Sequence, residues 1–245
     1  MSTEPVNSPD GGQAGRAGQN GSGDLSPQAI TRIVLRPMAS GLPLGFFAFG
    51  TGTILLTALE LHWVPLAQSR TLLLAVLAFV VPLEALSGIF AFLTRDSGVA
   101  TGLSTLSAAW ATTAIIMLGG PPGARSSALG IFLLTLATLM LILFGSSLPS
   151  KPLFGILLLI GACRFALTGV FQVSGVTATE TASGWFGLPL VVFSLYGGLA
   201  LLLEEGQQRT VLPIFRRGRA LTSLEGNLGH QIRRTEREPG VRRQL

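Results

Sequence analysis

Two ionisable side chains stand where hydrocarbon is expected. Arg164 interrupts the apolar stretch ILLLIGACRFALTGVFQ at 156–172, and Glu84 lies about twelve residues into another apolar run. An arginine or a carboxylate at the centre of a spanning helix costs about 2.5–3.5 kcal/mol on insertion scales. Such residues persist where a partner, a water-filled cavity or an anionic ligand offsets that cost. At 1.5 Å per residue both fall near the middle of a bilayer, whichever way their helices run. Equal depth permits an ion pair. We expect Arg164 to face the protein interior within reach of Glu84, and two other roles stay open: a carboxylate-binding cation, or a side chain snorkelling toward lipid. A third feature is the hydroxyl and small-residue stripe Thr101, Ser104, Thr105, Ala108 and Thr112, spaced three and four apart on one helical face. It can line an aqueous path or form a close-packing seam. Glu60 and His62 together suit a proton relay, or a solvated position at a helix end.

The elements that must hold these residues follow from composition. The chain has 245 residues, of which 48% are hydrophobic and only 12% charged, against about 25% charged in a soluble domain. Six apolar runs, at 42–63, 72–94, 99–118, 127–148, 153–173 and 184–204, are each long enough to span and are separated by short Pro-, Gly- or charge-bearing connectors. The expected fold is an all-α integral membrane protein with six transmembrane helices in a bundle, over 37–206. Residues 1–36 are rich in Gly, Ser, Pro, Asn and Gln and form an expected disordered tail. The first 30 residues contain no apolar core of a signal peptide, so targeting is expected from the first helix. The single cysteine, Cys163, excludes an intramolecular disulfide. No cluster has metal-ligand spacing, and there is no Gly-rich nucleotide loop or nucleophile elbow. Neither metal, cofactor nor enzymatic activity is expected.

Charge sets the expected orientation. Arg32 and Arg36 precede the first run, Arg95 lies between the second and third, and Lys151 between the fourth and fifth. From Gln207 onward nine arginines stand against three glutamates, whereas the opposite connectors carry Arg70 and Arg125. Both termini are therefore expected in the cytoplasm, with the Arg-rich tail at 207–245. That tail sets topology and suits anionic lipid headgroups; nucleic acid is not an expected partner, since no binding fold accompanies the charge. Trp63, Trp110 and Trp185 partly suit an interfacial aromatic belt.

Four ordered blocks carry a resemblance. SGLPLGFFAFGTGTILL at 40–56, LSGIFAFLTRDSGVATGLSTLSAAW at 86–110, SGWFGLPLVVFSLYGGLALLLEE at 183–205 and RTVLPIF at 209–215 resemble, in the same order, the acetate uptake transporters, the YaaH-type succinate–acetate permeases. The resemblance implies a six-helix permease of the cell membrane, assembled as a hexamer with one pathway per protomer, moving acetate and small carboxylates such as succinate with protons. It implies a signature at Pro43, Leu44 and Gly45, and a narrow waist at Phe49, Leu106 and Ile160. The chain departs from the family at several positions. Ser40-Gly41-Leu42 replaces Asn-Pro-Ala of the signature, and Leu106 replaces a waist Tyr. Ala91 stands at a family Glu, Glu84 at a family Gln, and Arg164 at an apolar position.

The residues thus support two functional readings. In the first, Arg164 receives a carboxylate in a low-dielectric path, where a bidentate charge-assisted contact is strongest. In the second, the chain is a non-transporting membrane sensor or scaffold whose buried charges neutralise each other and whose apolar waist stays dry.

Overall fold

The computed structural model describes residues 39–218. The N-terminal tail expected at 1–36, Arg32 and Arg36 among it, and the basic segment 219–245 lie outside the described residues. Within them the chain forms α1 (Leu42–Glu60), α2 (Leu66–Leu93), α3 (Ser97–Leu118), α4 (Ser127–Ser147), α5 (Pro152–Ser174) and α6 (Thr177–Gln207), each long and apolar enough to cross a membrane.

Local chemistry sets the helix ends. The Asp96 and Ser126 side chains accept from the backbone N–H groups of Val99 and Leu129 at the starts of α3 and α4. Prolines stand in the first turns of α1 and α5, where their missing N–H costs nothing. Gly175 closes α5 in the left-handed conformation with φ 76°. α2 is not uniform: it begins with a 3₁₀ turn at Leu66–Gln68 and contains a π turn at Val76–Val80. Pro82 follows directly; it has no N–H for the Ala78 carbonyl and crowds that group, and the π turn is where the helix absorbs the mismatch.

The helices form a ring. α1 packs on α6, α6 on α5, α5 on α4, α2 on α3 and α1 on α2, and the sparser α3–α4 contact completes the circuit. Small residues permit the tightest crossing. At α4–α5, a Cβ on Gly130 would lie 2.8 Å from the Gly169 carbonyl oxygen, and one on Gly169 would lie 3.0 Å from that of Gly130. Large apolar side chains such as Ile115, Ile131, Ile142 and Val192 point outward and are more than half exposed, as lipid-facing positions require.

The start of α1 and the end of α6 meet at one end of the ring, where the Ser40 N–H donates to Glu205 Oε1 at 3.2 Å. The segment after α6 folds back over that end. Arg216 pairs with Glu204 at 2.5 Å, and the Arg217 N–H donates to the Ser150 carbonyl at 2.9 Å. Lys151 pairs with Asp96 across the same end. Glu60 and the α5–α6 turn mark the opposite end.

Candidate functional site

The side chains that face the ring's centre come from α1, α3, α5 and α6. On α1, Phe49, Thr53, Leu56 and Glu60 follow one another at spacings of four, three and four, so they share a face. On α5, Gly161, Arg164, Phe165 and Thr168, at spacings of three, one and three, also share a face, while α3 supplies Ala109, Trp110 and Thr113, and α6 supplies Leu190. Together they enclose a cavity of ≈ 30 Å³, room for about one or two waters. Its walls are apolar at Phe49, Trp110 and Leu190, where the rings of Phe49 and Trp110 meet edge to face with centroids 6.0 Å apart. Leu56 and Phe165 extend the apolar wall, and the polar lining comes from Thr53, Glu60, Thr113, Arg164 and Thr168.

The charged part is a buried network. Arg164 Nη2 donates to Glu60 Oε2 at 2.7 Å, and Nη1 donates to the Thr53 carbonyl at 3.3 Å. Thr168 Oγ1 donates to Glu60 Oε1 at 3.0 Å, and Ser183 Oγ reaches the same oxygen at 3.2 Å. Arg164 is 5% exposed and Glu60 9%. Gly187 on α6 makes room: a Cβ there would collide with Thr57 Oγ1 and lie 2.6 Å from Arg164 Nη1. Only a residue without a side chain fits that crossing. The arrangement fixes a cation in a low-dielectric wall, with one nitrogen of its fork on a carboxylate and the other on a carbonyl.

The expected pairing of Arg164 with Glu84 is corrected: the partner is Glu60. Depth along the membrane fixes one coordinate only, and the ring fixes the others. α2 packs against α1 and α3, whereas α5 packs against α4 and α6. Glu84 is fully buried beside the Trp110 indole, and neither of its carboxylate oxygens makes a well-formed hydrogen bond among the described residues. The solvated helix-end position considered for Glu60 is also corrected. α6 begins at Thr177, seven residues before the apolar run at 184–204, and its polar first turns cover the end of α1. His62 is exposed, just past that end.

The remaining sequence-derived positions fall elsewhere. Ser104, Thr105, Ala108 and Thr112 line a groove of ≈ 390 Å³ between α3 and α4, whose far wall is Phe132, Thr135, Leu136 and Leu139 of α4. Thr101 is exposed. Of the three waist positions, Phe49 lines the central cavity; Leu106 is buried in the hydrophobic core and Ile160 packs against that core. The signature residues Pro43, Leu44 and Gly45 form the first turn of α1, which is tied to α2 by Ser87 Oγ donating to the Gly41 carbonyl at 2.5 Å. Sequence reasoning misses Thr53, Thr113, Thr168, Ser183 and Gly187. The spacing of Thr53, Thr57 and Glu60 along one face of α1 is the available signal.

Comparison with known proteins gives a consistent picture. A profile of the GPR1/FUN34/yaaH family matches residues 21–216. The succinate-acetate/proton symporter SatP of Escherichia coli K12 is 26% identical over 182 residues, covering 72% of this chain and 95% of that protein. Its counterpart from Shigella flexneri gives the same values. A solved structure of the bacterial acetate channel SatP superposes with a TM-score of 0.65 at 24% identity, over 72% of this chain and 99% of that one. The two share their fold.

Proposed function

The chain belongs to the GPR1/FUN34/yaaH family, and we propose on that premise that this multi-pass membrane protein carries acetate and other small carboxylates, succinate included, across the cell membrane together with protons. It acts as a permease rather than an enzyme, with both termini in the cytoplasm, as a hexamer with one pathway per protomer. Arg164 receives the carboxylate, and the Phe49–Trp110 contact with Leu190 is the dry constriction. The signature residues, Leu106, Ile160 and Glu84 support the wall from behind, and the hydroxyl stripe of α3 lines the separate groove against α4.

The observation that carries this reading is the cavity at the centre of a six-helix ring, lined by a buried guanidinium. Transporters place substrate groups in such interior sites near the membrane midplane. At ≈ 30 Å³ the cavity corresponds to a closed state, and helices must part for a carboxylate to enter. One observation favours a second reading, a non-transporting sensor or scaffold: Arg164 is already neutralised by Glu60. Uptake of labelled acetate in cells lacking their own permease separates the two. Saturable uptake in expressing cells, lost in Arg164→Leu at equal protein level, is the expected result. Absence of uptake from correctly inserted wild-type protein overturns the transport reading.

A further inference from the structure

We infer that Glu60 is an internal stand-in for the substrate carboxylate on Arg164 and the base that takes the substrate's proton, so that anion and proton are captured in a single exchange. This rests on the transport reading above and adds the residue and the step that couple the two.

The geometry divides the Glu60 carboxylate into two halves. Oε2 faces Arg164 Nη2 at 2.7 Å. Oε1 is held by hydroxyls alone, Thr168 Oγ1 at 3.0 Å and Ser183 Oγ at 3.2 Å, and those two hydroxyls contact each other at 2.6 Å. A protonated carboxyl group keeps one acceptor oxygen. Each hydroxyl has one hydrogen, so one of the pair donates to the other across 2.6 Å and the other donates to Oε1. With the proton on Oε2 that bond to Oε1 persists, so the side chain is held in place in both charge states. Oε2 is then free to leave Arg164.

The step balances. An undissociated carboxylic acid enters the cavity, its O–H bond breaks, and the proton passes to Glu60 Oε2 while the bonding pair stays on the substrate oxygen. The resulting carboxylate takes the place of Glu60 on the Arg164 guanidinium. Before the exchange the site holds one cation, one anion and a neutral acid. After it, the site holds one cation, one anion and a neutral Glu60. The net charge of the site does not change, which matters in a medium where an uncompensated charge is expensive. The return of the proton from Glu60 to the substrate releases the acid on the other side.

Placement distinguishes Glu60 from the other acids. Glu84 is fully buried beside Trp110 and does not line the cavity. The charged groups facing Glu60 are Arg164 from α5, Glu180 on the first turn of α6, and His62 just past the end of α1; Glu180 lies within electrostatic reach of both Glu60 and His62. Of the three, His62 is exposed, Glu180 half-buried and Glu60 buried.

The test uses the full-length protein in proteoliposomes with labelled acetate and two readouts. Counterflow against unlabelled acetate requires no net proton movement, whereas accumulation driven by an imposed pH gradient does. Wild type should show both. Glu60→Gln, which keeps the shape and the acceptor oxygen of Oε1, should lower the ratio of gradient-driven accumulation to counterflow at least tenfold. A ratio equal to that of wild type in folded Glu60→Gln overturns the inference. Absence of counterflow in wild type overturns the transport reading itself. A second measurement needs no variant: calorimetric titration of acetate into wild-type protein, in buffers of differing ionisation enthalpy near neutral pH, should show about one proton taken up per acetate bound. Binding with no proton uptake overturns the inference.

Discussion

Removing either member of the Arg164–Glu60 pair should damage the protein more than removing both. The two side chains are 5% and 9% exposed, and 2.7 Å separates Nη2 from Oε2. Arg164→Leu leaves Glu60 with two hydroxyls and no cation; Glu60→Leu leaves Arg164 with one backbone carbonyl. Breaking a buried pair from one side costs about 3–5 kcal/mol. For a chain of this length, about 2–4 °C of melting temperature accompanies each kcal/mol, so each single change should lower the midpoint by about 6–20 °C. If the two effects simply added, the double variant would lose about 6–10 kcal/mol. Because it leaves no orphan charge and gains apolar packing, it should instead fall no more than about 3 kcal/mol below wild type. The assay is thermal unfolding of detergent-solubilised protein for the two singles and the double. The control pairs Arg164→Leu with Glu84→Leu, which should show no rescue. Rescue by Glu84→Leu, or additive losses for the Glu60 combination, would refute the pairing.

Three further outcomes follow from the geometry. Gly187→Ala drives a Cβ into Thr57 Oγ1 and to 2.6 Å from Arg164 Nη1; overpacking of this kind costs about 1–3 kcal/mol, and acetate uptake should fall because the guanidinium must shift. Unchanged stability and uptake would contradict the crossing. Leu106→Tyr should lower the melting temperature by a similar overpacking cost and leave flux no higher than wild type, since Leu106 is buried away from the cavity. A rise in acetate flux at equal expression would restore it to the waist. A reporter enzyme fused after Leu245 should be active only when it is of the cytoplasmic-active type; activity of a reporter that requires the outer side would reverse the topology.

Hydropathy reveals a helix only where its residues are apolar, and that explains both the successes and the misses. The runs at 99–118, 127–148 and 153–173 coincide closely with α3, α4 and α5, because Asp96, Ser126 and Pro152 punctuate the sequence where the helices begin. α6 starts seven residues earlier than its run because Thr177–Ser183 is polar, and those residues contribute Ser183 and Glu180 near the site. Glu60 looks like a solvated helix-end residue for the same reason: nothing local shows that a longer neighbour covers it. Glu84 and Arg164 share a depth, which a sequence supplies, but not a direction around the helix axis, which ring order decides. The stripe on α3 is legible as one face. Which side of α3 faces α4 is not, because that depends on the closing of the ring. Thr53, Thr57 and Glu60 show the same spacing on α1 and do face inward.

If a carboxylate crosses through the cavity at Arg164, emptying that cavity of charge must stop it. The decisive measurement is counterflow of labelled acetate in proteoliposomes made from the Arg164→Leu/Glu60→Leu double variant, the form expected to stay folded with an uncharged cavity. Counterflow should appear in wild type and none above protein-free vesicles in the double variant, with both proteins monodisperse and equally reconstituted. Wild-type rates in the folded double variant would contradict this route and move the pathway away from Arg164.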